Sequence, residues 1–131
     1  MKLTLDNPAT VAAPAGPYSH VARLDVGGGA LLVLAGQIAT DDAGDVVAPG
    51  DVTAQSERIF ETIGGILAAH GASFADVLQV RTFMTNLADL PGYGAVRARY
   101  FPDAKPASTT VEVSRLFKPG AVLEVEVTAA I

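Results

Sequence analysis

The closing segment Val122-Leu123-Glu124-Val125-Glu126-Val127 alternates apolar residues with two acids. On a strand, that alternation places Glu124 and Glu126 on one face and the valines on the other. Neighbouring like charges and partial burial both raise a carboxyl pKa. Glu124, raised in this way, has the chemistry of a general base working near neutral pH. Glu112 lies in a second alternating stretch, Thr110-Val111-Glu112-Val113-Ser114, and is expected on the same sheet face as the acidic pair.

Other polar groups could complete such a site. Tyr18 follows Gly16-Pro17, a turn that can present a phenol to a ligand or tuck it against backbone. Ser108, Thr109 and Thr110 offer hydroxyls to a polar ligand, but no serine-hydrolase signature surrounds Ser108. The candidate cations are Arg81, in the middle of an expected strand, Arg97, one helical turn after Gly94, and Arg99. Each has a plainer reading as a surface or structural ion pair. His20 and His70 are the only histidines and fall in different elements, which makes a histidine metal site within one subunit improbable. His20 suits a hydrogen-bonding role near a cleft, and His70 is given no role. The chain has no cysteine, so disulfides, thiolate catalysis and thiolate-bound metals are all excluded.

The charge balance narrows the partners. Fourteen acids outnumber nine Lys and Arg, and the basic residues form no cluster. Nucleic-acid binders carry basic patches that neutralise phosphates, so a nucleic-acid role is the least expected. No apolar run approaches the ~18 residues of a membrane span, and the first residues lack the apolar stretch of a secretion signal. A cytoplasmic location follows as the default.

The elements that must position these groups can be read along the chain. With 131 residues, one domain over 1–131 is expected. Val21 to Val26 reads as a strand and Gly27-Gly28-Gly29 as a turn. Ala30-Leu31-Leu32-Val33-Leu34-Ala35 is apolar throughout, the pattern of a strand buried on both faces. Val52, Ile59, Ile63, Ile66 and Leu67 recur at helical spacing, with Asp51 or Thr53 as N-cap and Gly71 as the left-handed end. Gly64-Gly65 within that helix implies close helix–sheet packing. Val77 to Thr85 reads as a strand and Tyr93 to Phe101 as a second helix, stopped at Pro102. Thr109 to Ser114 and Val122 to Thr128 are the final strands, and a short strand before Pro14 is possible. The order β-β-α-β-α-β-β describes an α+β two-layer domain with two helices on one face of a mixed sheet.

Five segments, in register over nearly the whole chain, resemble the reactive intermediate deaminase family (Rid, YjgF-like). They are Gly16-Pro17-Tyr18-Ser19-His20, Leu34-Ala35-Gly36-Gln37-Ile38, Gln55, Val111-Glu112-Val113-Ser114-Arg115-Leu116 and the closing acidic strand. The resemblance implies a chorismate-mutase-like fold, a homotrimer with ligand clefts between subunits, and no metal or organic cofactor. It implies hydrolysis of short-lived enamines and imines, such as 2-aminoacrylate, to ketoacids and ammonia. By that resemblance Tyr18 and Glu124 are the catalytic pair, and Ser108, Thr110, Ala35 and Gly94 line the substrate. Family members have also been labelled ribonucleases, a label the acidic charge balance argues against.

The chain departs from the family at the substrate end. Lys105-Pro106-Ala107-Ser108 stands where the family carries Pro-Ala-Arg, so Ser108 replaces the arginine that grips the substrate carboxylate. Ala35 replaces a pocket serine and Gly94 an asparagine. A buried carboxylate without a cation is expensive, so 2-aminoacrylate is a poor candidate substrate unless Arg81, Arg97 or another cation takes over. The leading expectation is an enzyme acting on a reactive imine or enamine-like small molecule, by hydrolysis or isomerisation. The alternative is a non-catalytic trimer that binds a metabolite or a protein.

Overall fold

Eight main elements carry the chain, and they are numbered here in order. They are β1 (Lys2–Asp6), β2 (Val21–Val26), β3 (Gly29–Leu34), α1 (Val52–Ala69), β4 (Val77–Met84), α2 (Leu90–Tyr100), β5 (Ala107–Glu112) and β6 (Leu123–Ala130). In the computed structural model, which describes residues 1–131, the strands form one sheet in the order β1-β2-β3-β6-β4-β5. Only β4 and β5 run parallel, joined by the α2 crossover. Ile59, Ile63, Ile66 and Leu67 of α1 share one core with Val80 and Met84 of β4 and Val125 and Val127 of β6. Both helices therefore cover the same sheet face, the α+β architecture expected from the sequence.

Local chemistry sets the element ends. Asp51 caps α1 by accepting from the Ala54 amide, and Gly71 follows the helix with a φ of +75°. The second helix starts at Leu90, three residues before the expected Tyr93. Pro91 sits in its first turn, where its missing N–H costs nothing and its fixed φ suits the helix. Tyr93 is buried on that helix, and its hydroxyl lies 2.7 Å from Thr82 Oγ1 of β4. Gln55, fully buried on α1, donates to the Ala48 and Gly120 carbonyls and accepts from Val122 N, pinning the approach to β6. His70 Nε2 pairs with Asp6 at 2.9 Å, which ties the end of α1 to β1.

Three expectations change. The apolar run of β3 is not buried on both faces. Ala30, Leu32 and Leu34 are buried, but Val33 is 47% exposed, because the helices cover only one side of the sheet. The close packing at Gly64-Gly65 is not with the sheet. A Cβ on Gly64 would lie 3.2 Å from the Phe74 ring, and one on Gly65 would lie 2.9 Å from Val11 Cγ1. The helix is shaved there for the N-terminal loop and the turn after α1.

The third change concerns β5. Its parallel register sets Val80 beside Ser108, Thr82 beside Thr110 and Met84 beside Glu112. Val80, Thr82 and Met84 point into the helix-covered core, so Ser108, Thr110 and Glu112 belong to that face. Glu112 Oε1 accepts from the Leu87 amide just ahead of α2. The expected grouping of Glu112 with Glu124 and Glu126 is thus corrected. Alternation fixes the period of a strand but not its phase against the sheet. On an edge strand, where Ser108 and Glu112 stay exposed, hydropathy cannot choose the phase.

Candidate functional site

The site around Glu124 begins with a backbone contact. Gln37 and Val125 exchange both of their N–H to O bonds, at 2.8 and 3.0 Å. That bridge draws Ala35 and Gly36 alongside β6, next to Glu124. The glutamate lies directly over the Gly36 Cα. A Cβ there would overlap Glu124 Oε1 and sit 3.0 Å from its Cδ. Glycine is therefore a requirement of the carboxylate's position.

Glu124 stands on the sheet face without helices and shares a cavity of about 370 Å³ with Tyr18, Ala35, Gly36 and Phe117. Burial pushes its carboxyl above the usual carboxylate range, and the charge of Glu126 pushes it further the same way. Glu126 in turn holds Arg81 in a salt bridge of 2.5 Å. Arg81 is thereby paired with an acid on the same face. Tyr18 is 45% exposed, with its ring near Gly16, and borders both this cavity and a neighbouring one of about 350 Å³.

His20 and Gln37 form the wall between the N-terminal loop and β6. His20 Nε2 lies 2.7 Å from the Ala12 carbonyl, and its Nδ1 lies 3.2 Å from Gln37 Nε2. A carbonyl can only accept, so the consistent assignment is a neutral imidazole that donates from Nε2 and accepts at Nδ1. Gln37 Nε2 also donates to the Ala35 carbonyl, fixing the pocket strand. His20 is a hydrogen-bonding element of the wall, the role expected of it.

The remaining predicted residues assemble elsewhere. Arg97 of α2 donates from Nη1 to Ser108 Oγ at 2.8 Å. Its guanidinium carbon stands 5.7 Å from the Phe101 ring centre. Gly94, Arg97, Phe101, Lys105 and Pro106 border a groove of about 220 Å³. Thr110 lies further along β5, beside Thr82. Arg99 is paired with Glu57. One chain therefore holds two separate groups. Tyr18, Ala35 and Glu124 are on the open sheet face, while Ser108, Thr110, Gly94 and Arg97 are at the helix-side edge.

The sequence alone does not mark Gly36 and Phe117 as site residues. Gly36 sits inside a matched motif, and its meaning depends on a tertiary contact with Glu124. Phe117 is 60% exposed, an isolated aromatic in a loop that the sequence gives no reason to bring near Tyr18.

A family profile described as endoribonuclease L-PSP matches residues 9–131. The Myxococcus xanthus protein DfrA is 40% identical over 114 residues, covering 87% of this chain and 85% of the relative. The 3-aminoacrylate deaminase RutC of Acinetobacter baylyi is 36% identical over 112 residues, covering 86% and 85%. Among solved structures, YyfA of Yersinia pestis, of the conserved Rid family, superposes with a TM-score of 0.88 at 30% identity, over 99% of this chain and 100% of that one. RidA from an Antarctic Psychrobacter gives a TM-score of 0.85 at 27% identity, over 99% and 100%. With the matched motifs and the close superpositions, these likenesses lead to one conclusion: the chain belongs to the endoribonuclease L-PSP family, the YjgF-like reactive intermediate deaminases.

Proposed function

We propose that the protein hydrolyses a reactive imine or enamine-like metabolite, releasing ammonia, in pockets between the subunits of a homotrimer. The observation that carries this reading is Glu124, a carboxylate raised by burial that opens onto a cavity bordered by Tyr18. Water held by Glu124 gives up a proton to it and adds to the imine carbon. Glu124 returns that proton to the nitrogen, giving a carbinolamine, then takes the hydroxyl proton and passes it to the nitrogen as the C–N bond breaks with its electrons leaving on nitrogen, so that ammonia departs and a carbonyl product remains. Tyr18 orients the substrate or the water, as a phenol at the rim of such a cavity can.

The inter-subunit arrangement draws support from the division of the site. Val33 and Val111 are 47% and 40% exposed on the face without helices, apolar surface suited to a neighbouring subunit. The edge group of Ser108, Thr110 and Gly94 would then complete a neighbour's Tyr18 and Glu124 cavity. The relative named as a 3-aminoacrylate deaminase supports the reaction class. Because Ser108 replaces the family arginine, 2-aminoacrylate itself is expected to turn over slowly.

The test is ammonia release from a panel of enzymatically generated imines, with wild type and Glu124→Gln, after light scattering has measured the assembly. A trimer whose release collapses in Glu124→Gln is expected. Equal release by both proteins would overturn the role of Glu124, and a monomer at micromolar concentration would remove the shared pocket. Ala35, Ser108 and Gly94, which lack the family's polar groups, favour a second reading, a trimer that binds a metabolite without turning it over. Ligand binding with no ammonia from any imine is its signature.

A further inference from the structure

We propose that Arg97 supplies the substrate-anion grip that the chain lacks at position 108, with Ser108 as its positioning residue. This rests on the imine-hydrolysis reading and names its substrate class: a molecule whose carboxylate lies farther from the reacting carbon than in 2-aminoacrylate.

The pairing of the arginines leaves two without a carboxylate, Arg97 and Arg115, and Arg115 is exposed and outside the residues bordering the groove beside Arg97. Arg23, Arg58, Arg81 and Arg99 each lie against a carboxylate. Arg97 instead donates to a neutral hydroxyl, Ser108 Oγ, and keeps its charge uncompensated by that contact. It is half-buried, and Phe101 lies under the guanidinium at 5.7 Å. A planar fork held by a ring on one side and a hydroxyl at one nitrogen keeps further N–H groups for a carboxylate. The groove beside it adds Lys105. Gly94, one turn earlier on α2, leaves the approach clear, since a Cβ there would meet nothing within 4 Å. Two cations, an open glycine and no acid among the bordering residues describe an anion site.

The geometry also sets the substrate's length. An arginine at 108 would carry its guanidinium a full side chain beyond β5. Arg97 brings its own guanidinium back to the Ser108 hydroxyl, 2.8 Å away. A carboxylate bound there sits close to the strand, where an arginine at 108 would hold it farther out, and the proposed substrate spans that difference with additional bonds.

The probes are pyruvate, whose carboxylate adjoins the carbonyl, levulinate, whose carboxylate is two carbons farther, and the neutral 4-oxopentanamide. Calorimetric titration of the trimer should give tighter binding for levulinate than for pyruvate or the amide. Arg97→Ala should weaken levulinate about 10- to 100-fold, the effect of losing charged hydrogen bonds, and leave the amide unchanged. Arg97→Lys, which keeps the charge and the helix, should restore part of it. Ser108→Ala should weaken levulinate by about threefold, as a lost neutral hydrogen bond does, while Ser108→Thr should restore it. Unchanged levulinate binding in Arg97→Ala, or no preference of the wild type for levulinate over its amide, overturns the assignment. Pyruvate binding more tightly than levulinate overturns the length argument. Levulinate binding that depends on Arg97, with no ammonia from any imine, would leave Arg97 standing and sink the hydrolysis. Ammonia release unchanged in Arg97→Ala would do the reverse.

Discussion

The Glu124 group and the Arg97 group lie on opposite faces of one sheet and are built on different principles. Around Glu124 the backbone does the positioning. A two-bond bridge between Gln37 and Val125 brings Gly36 beneath the carboxylate, and burial tunes its proton affinity. Around Arg97 side chains do it, with one hydroxyl and one ring holding a long flexible cation from a helix. Backbone positioning tolerates little substitution, because strand register is shared with the core. Side-chain positioning is easily traded, because a cation can reach the same place from a different element. Glu124 accordingly matches the residue the family resemblance implies, while Ser108 departs from it.

The sharpest way to break this contrast is Gly36→Ala. The added methyl must push the Glu124 carboxylate aside, since its Oε1 and Cδ occupy that space. A displaced reacting group costs on the order of 100-fold in rate, so ammonia release should fall about that far with the assembly state unchanged. A rate near wild type would show that Glu124 need not sit over Gly36.

The second test concerns the exchange of cations. Ser108→Arg restores the family residue but sets a second guanidinium against Arg97, and like charges disfavour each other. Ser108→Arg alone should gain little deamination of 2-aminoacrylate. Ser108→Arg combined with Arg97→Ala should exceed it by about tenfold, the worth of a charged hydrogen bond. If the single variant already matches the double, the two arginines do not compete for one place.

A smaller effect is expected from Glu126→Gln. It removes the like charge that helps raise Glu124 and releases Arg81 beside it. Both changes lower the Glu124 pKa, so the acidic limb of the pH–rate profile should move to lower pH, and an unmoved limb would show that burial alone sets it. A carboxyl whose folded pKa is raised holds more protons folded than unfolded. Its presence therefore makes the native state less stable as pH rises from the ordinary carboxylate range through the raised value. Glu124→Gln should be more stable than wild type above that window, and the difference should vanish below it.

The smallest effect is Gly94→Asn. The position is open, so the substitution meets no clash, and replacing glycine in a helix gains about 0.3 kcal/mol of stability. A urea midpoint that moves downward would mean that Gly94 is needed for packing after all.

Much of this was legible without coordinates. The strand of Val21 to Val26, a helix cap at Asp51 or Thr53, the Gly71 end and the alternation at Glu124 all follow from local rules, and the structure keeps each of them, choosing Asp51 for the cap. The sequence reading places the start of α2 three residues late, because a Pro-Gly pair such as Pro91-Gly92 also suits a turn, whereas a proline in a helix's first turn is equally at home. Glu112 falls on the other face from the one its alternation suggests, because an exposed edge strand carries no hydropathy signal for its phase. The division of the expected site residues was also hidden, since motif positions say nothing about which side of a sheet they occupy.

The sequence by itself determined the α+β class, the family and the identity of the residue that stands in the arginine's place. Those depend on residue types and short spacings, which are local. Only the tertiary structure decided that Glu124 rests on Gly36, that Arg81 is taken by Glu126, and that Arg97 reaches Ser108. Each of these is a contact between elements far apart in the chain, set by strand register and helix placement, and no local pattern encodes where two such side chains meet.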